Sequence, residues 1–208
     1  MWMTRRDSLF ATLHNNPKAP FVTRAVQFGS EPLFDHVLPV STLAAQVTAA
    51  KQNLTSLGVL VTVSDMAYGF QSNGGAQPVL DAVDFVDLHM LPFFSATATT
   101  ASASWVFVQS DLTWINSKIN GKKVILSENG WPSVESGSTS SSSPNAVCNV
   151  GQEQAYFDLL DSKCTTLKQN PGGGVGWFAH LYSEEQGAGY GITDNGQLKF
   201  PFNPKTSC

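Results

Sequence analysis

Apolar residues along this chain keep two spacings, one of three and four residues and one of short unbroken runs, and the two alternate. Leu9, Phe10 and Leu13 fall at the first spacing and predict a helix over 4–14, closed by Asn15-Asn16-Pro17. A strand is read over 21–28, and it breaks into Gly29-Ser30-Glu31-Pro32. Leu43, Ala44, Val47, Ala50 and Leu54 then mark one face of a helix over 40–57, with Gly58 at its C-terminal end. Val59 to Val63 reads as a strand, 77–82 as a short helix, 83–90 as a strand and 103–119 as a helix with Trp105, Val108, Leu112, Ile115 and Ile119 inward. Another short strand opens at Val124 and stops at Glu128. A Ser/Thr/Gly/Pro segment over 136–145 reads as a mobile loop, a last long helix covers 152–169, and Gly172-Gly173-Gly174 turns into a strand over 175–179.

Strands alternating with helices predict an α/β fold with a parallel sheet. In a barrel of that kind, catalytic groups stand where strands end. Two carboxylates occupy such positions, Glu31 after the first strand and Glu128 after the fourth. Each could equally be a loop acid that solvates a strand end, so the flanking residues must decide between the readings.

The 208 residues suffice for one domain with a sizeable core, and 42% hydrophobic content with mean hydropathy −0.07 is that of a soluble globular protein. A net charge of −4 leaves no basic surface for nucleic acid. No run of about 20 apolar residues could span a bilayer, and no apolar core of a secretion signal follows Arg5-Arg6. Three cysteines, Cys148, Cys164 and Cys208, fit no zinc spacing. A Cys148–Cys164 disulfide is the preferred pairing, with a free buried thiol nearly its equal. Asn53-Leu54-Thr55 is a glycosylation sequon, of consequence only in a secreted chain.

Ser127-Glu128-Asn129-Gly130-Trp131-Pro132-Ser133 after an apolar strand resembles the nucleophile strand of glycoside hydrolase family 17, the β-1,3-glucanases and glucan-remodelling enzymes of fungi and plants. Asn129 stands where Thr is commoner. Glu31 matches the acid/base strand of that family, with Ser30 in place of the usual Asn. His89-Met90-Leu91-Pro92-Phe93-Phe94 resembles a rim segment, and Tyr190 to Gly196 resembles the closing tail. The resemblance implies Glu31 and Glu128 as catalytic residues. It implies Ser30, Tyr68, His89, Phe93, Trp131, Glu184 and Glu185 as substrate contacts, with aromatic rings stacking on sugar.

The same resemblance implies a (β/α)₈ TIM-barrel fold, yet only five strands are found, and they match strands four to eight. The expectation is one barrel domain over 1–208, N-terminally truncated and lacking its first three strands. The family is extracellular or in the cell wall. It uses no cofactor or metal, and a monomer acting on β-glucan is expected.

The function implied is retaining β-1,3-glucan hydrolysis through two glutamates, with transfer to another glucan as an extension. Against it stands a catalytically weak or inactive glucan-binding remnant, favoured by the missing strands and by Ser30. An intracellular sugar-phosphate barrel is the weakest reading, because Glu184 and Glu185 would repel phosphate at the last strands.

Overall fold

The computed structural model describes residues 2–137, 139–187 and 189–208. Strands β1 (Ala25–Ser30), β2 (Leu60–Met66), β3 (Val86–Met90), β4 (Val124–Asn129) and β5 (Val175–Ala179) form a sheet in chain order. β1 with β2 and β4 with β5 are parallel, as expected when a helix-bearing crossover separates successive strands. This is the α/β architecture the hydrophobic pattern predicts. β3 carries the boundary between two compact units, Met1–Asp87 and Leu88–Cys208.

In the first unit, α1 (Trp2–Asn15) and α2 (Ala19–Val22) precede β1. The structure corrects the strand expected over 21–28. Pro20 lies in the first turn of a single-turn helix, Phe21 is 92% exposed, and the paired strand begins only at Ala25. Only Leu13 of α1 is buried, so polar contacts hold this helix: Arg6 donates to Gln46 at 2.7 Å, and His14 meets Asn53 at 3.0 Å. Helix α3 (Val40–Leu54) buries the five apolar residues its spacing marks out and packs against β2 and α5 (Gln77–Ala82). A 3-10 turn and Gly58, at φ 67°, end it. Between β2 and α5 lies α4 (Ala67–Ser72). β2 is buried on both faces along its middle, which accounts for apolar residues at adjacent positions, Val59 to Val61, rather than at alternate ones.

In the second unit, α6 (Trp105–Asn116) buries Val108, Leu112 and Ile115. The long helix expected over 152–169 is two, α7 (Val150–Ser162) and α8 (Cys164–Lys168), broken at Lys163. Asn149 caps α7 by accepting from Gln152 N–H at 3.0 Å. A second sheet contains β6 (Leu181–Ser183), β7 (Gly191–Asp194) and β8 (Gln197–Leu198).

The disulfide joins Cys164 to Cys208, and Cys148 is free. The Cys148–Cys164 expectation is therefore wrong, for a geometric reason: α7, 13 residues long, stands between those two cysteines, and a helix of that length spans about 20 Å. The C-terminal segment instead reaches α8, with Phe200 and Phe202 packed on Phe157 and with Lys205 N–H donating to Asp161 at 3.0 Å.

The loop expected to be mobile over 136–145 is pinned at its described residues. Ser141 Oγ donates to the Phe93 carbonyl at 2.8 Å, Val147 N–H donates to the Thr99 carbonyl at 2.8 Å, and Thr139 and Ser143 are buried. Its hydroxyls bond to backbone, which lets a segment without an apolar face pack. Among the described residues, no helix is long and apolar enough to cross a membrane.

Candidate active site

Both glutamate-bearing strands share one irregularity. In β1, Gln27 faces Thr62 and Ser30 faces Ser64, so β1 uses three steps where β2 uses two. In β4, Leu126 faces Trp177 and Asn129 faces Ala179, with the same extra residue. A bulge of this kind re-aims the side chains beside it. In β1 it contains Gly29, at φ 70°, the left-handed conformation glycine adopts at least cost. Glu31 follows that bulge, and Glu128 lies within the other.

Glu128 keeps part of its side chain exposed, at 31%, and its Oε2 lies 3.4 Å from His89 Nδ1. His89 is the penultimate residue of β3 and is buried. The residue after Glu128, Asn129, is fully buried: its Oδ1 accepts from Tyr156 at 2.7 Å, its Nδ2 donates to the Phe178 carbonyl at 3.3 Å, and its own carbonyl accepts from His180 N–H. A longer amide at this position thus bonds to α7 and β5 together. The sequence motif held no sign of Tyr156, which reads as one more inward residue of a helix.

Phe93 and Trp131 come together edge to face at 5.3 Å. Both are 0% exposed, and Trp131 Nε1 donates to the Val147 carbonyl at 2.9 Å. The expectation that they stack on sugar is corrected: neither ring has a face in solvent, because the pinned loop closes over them and takes the indole N–H.

Glu184 is also not a free rim acid. Its Oε1 pairs with Lys199 and accepts from Ser133 at 3.2 Å, and its Oε2 accepts from Gly189 N–H at 2.9 Å. Lys199 Nζ also lies 2.6 Å from Glu153 Oε2, so it pairs with both acids. Burial pushes Glu153 up to about 7, against the pull of Lys199. Glu185 is exposed on the single 3-10 turn 184–186.

Around Glu31 the support is backbone. Glu31 has φ 53°, its N–H donates to the Ser64 carbonyl at 2.9 Å, and its carbonyl accepts from Asp35 N–H at 2.9 Å. Asp65, fully buried at the end of β2, accepts from Leu33 N–H at 2.7 Å, Phe34 N–H at 3.4 Å and Met66 N–H at 2.9 Å. Burial raises it to about 6 despite those three donors, and the nearby charge of Glu31 adds a little. Gly69 makes room for it, since a Cβ there would collide with Asp65 Oδ1. Ser30 is exposed at the end of β1, and Tyr68 is 60% exposed on α4 with its ring edge-on to Phe34 at 6.2 Å.

Residues 4–184 match the family model of the BtgE/BtgC glycoside hydrolase domain. A probable β-glucosidase btgE of Aspergillus terreus is 28% identical over 151 residues, 69% of this chain and 26% of that protein. This chain therefore spans about a quarter of the length of that relative. Among solved structures, a glycoside hydrolase family 17 β-1,3-glucanosyltransferase from Rhizomucor miehei superposes with TM-score 0.71 at 24% identity, over 94% of this chain and 68% of that one. An active-site mutant of the Rhizomucor miehei β-1,3-glucanosyltransferase in complex with laminaritriose gives TM-score 0.67 at 21% identity, over 91% and 70%. The likeness to these structures is one of fold. With the family model covering most of its length, the chain belongs to the BtgE/BtgC glycoside hydrolase domain family.

Proposed function

We propose that the protein is a retaining glycosidase of β-1,3-glucan, in which Glu31 protonates the departing glycosidic oxygen and Glu128 attacks the anomeric carbon. The glycosyl-enzyme ester is then released to water, or to a glucan hydroxyl in a transfer reaction, with Glu31 now accepting the proton. The observation that carries this reading is the matched placement of the two acids, each at a bulged end of a parallel strand. The laminaritriose complex of the fold neighbour supports a β-1,3-linked substrate.

His89 serves Glu128 by lying against its carboxylate, where the buried ring holds the nucleophile in place. Ser30, Tyr68 and Glu185, all exposed, are the substrate contacts left from the sequence expectation. The site belongs to one barrel-type domain of a monomer that works outside the cell on wall glucan. Retention requires carboxyl groups about 5–5.5 Å apart.

The test is Glu128→Gln and Glu31→Gln on laminarin-type glucan. Each should lower kcat by about 1,000-fold or more. Activity of Glu128→Gln within tenfold of the parent would remove the nucleophile assignment. Glucan binding by a parent protein that lacks turnover would support the binding-remnant reading instead.

A further inference from the structure

We propose that Asp65 is a positioning residue for the acid step, fixing the backbone that carries Glu31; the inference rests on the reading of Glu31 given above. The turn that follows Glu31 begins like a helix, with the Glu31 carbonyl accepting from Asp35 N–H four residues on and the Pro32 carbonyl accepting from Val37 N–H. Such a turn leaves its first N–H groups without partners in the turn itself. An ordinary cap would come from the residue at its start. That residue is Glu31, so using its carboxylate there would withdraw it from chemistry. The cap comes instead from the neighbouring strand, where Asp65 takes the N–H groups of both Leu33 and Phe34.

A second support is Asn73, whose Nδ2 donates to the Leu33 carbonyl at 3.0 Å and to the Gly69 carbonyl at 2.8 Å. Glu31 itself is in the left-handed region at φ 53°, a conformation unfavourable for a residue that carries a Cβ. Such a conformation persists only where surrounding contacts over-determine it. Here those contacts are the Ser64 carbonyl on one side of Glu31 and the Asp65-capped turn on the other. With the cap removed, Glu31 can relax toward ordinary backbone angles and swing its carboxyl group away. A displacement of about 1 Å is enough to cost on the order of 100-fold in rate.

A loss at the acid has a signature that general damage lacks. Glycosidic oxygens of glucan need a proton to leave, whereas a 2,4-dinitrophenolate leaves without one. The experiment compares kcat/KM on laminarin with kcat/KM on a 2,4-dinitrophenyl β-glucoside for Asp65→Asn, Asn73→Ala and Glu31→Gln, with circular dichroism as a check of folding. Asp65→Asn should lose about 10- to 100-fold on laminarin and less than about 3-fold on the aryl glucoside. Asn73→Ala, which removes only the second support, should show the same bias with a smaller loss, and it decides the matter if Asp65→Asn does not fold. Equal losses on the two substrates, or no loss on either, overturn the role of Asp65. If Glu31→Gln itself shows no leaving-group bias, the acid assignment of Glu31 falls first, and the failure belongs to that reading.

Discussion

The two glutamate-bearing strand ends carry the same bulge and are supported in opposite ways. At the end of β1, the structure fixes main chain: Glu31 is held through its own N–H and carbonyl and through a turn capped from β2. At the end of β4, it fixes side chains: His89 lies against Glu128, while Asn129, Tyr156, Phe93 and Trp131 make a buried frame behind it. The difference suits the two roles proposed for them. A proton donor that later takes a proton back works with leaving groups and waters in several positions, and a firmly fixed backbone beneath the side chain serves that. A nucleophile must meet one carbon along one line, which calls for packed neighbours.

Trp131→Ala is the largest blow to the β4 end. It should cost about 3–5 kcal/mol of stability by leaving a cavity and an unpaired Val147 carbonyl, read as a lower urea midpoint. A stable Trp131→Ala variant with weakened glucan binding would restore the sugar-platform role.

Next in size is His89→Gln, which should lower kcat about 10- to 100-fold, the range expected when a group beside the reacting carboxylate is no longer held to within about 1 Å. Stability should change less than for Trp131→Ala; no change in kcat would mean that Glu128 does not depend on side-chain support. Tyr156→Phe removes only the hydroxyl donated to Asn129 and should cost about 1–2 kcal/mol. If it costs nothing, Asn129 is held by β5 alone.

The smallest effect comes from three acids, one in the first unit and two in the second. Burial raises Asp65 from 3.8 to about 6, Asp111 from 3.8 to about 6 and Glu153 from 4.5 to about 7. Each binds its proton more tightly folded than unfolded, so the contribution is full below about pH 4 and is lost as pH rises through 6 to 7. The melting temperature should therefore fall by a few degrees between pH 5 and pH 7.5, and Glu153→Gln should flatten the upper part of that fall. A melting temperature that rises over this range would show that other groups dominate.

The strand ends were legible in the sequence because an apolar run that stops at a carboxylate is a local pattern. The helix face of α3 was equally plain, since five buried residues keep one spacing. What escaped depends on partners far along the chain. Tyr156 meets Asn129 across 27 residues, Lys199 meets Ser133 across 66, and Cys164 finds Cys208 across 44. Phe93 and Trp131 show the other limit: an aromatic beside a strand end reads the same whether it faces sugar or is covered by a loop. The signal for Asp65 was present, an acid following the apolar run of β2, but its bonds to Leu33 and Phe34 depend on how β1 and β2 pair.

Asp65 and Gly69 also constrain the order in which this protein can change. A side chain at position 69 would occupy space already filled by the carboxylate, so Gly69→Ala is closed while Asp65 is present and opens once Asp65 has been shortened. The reverse step is barred too: a lineage that has filled position 69 cannot regain the acid at 65 without first emptying it. Two residues four apart thus exclude one another's side chains, and the exclusion fixes the order in which either position can drift.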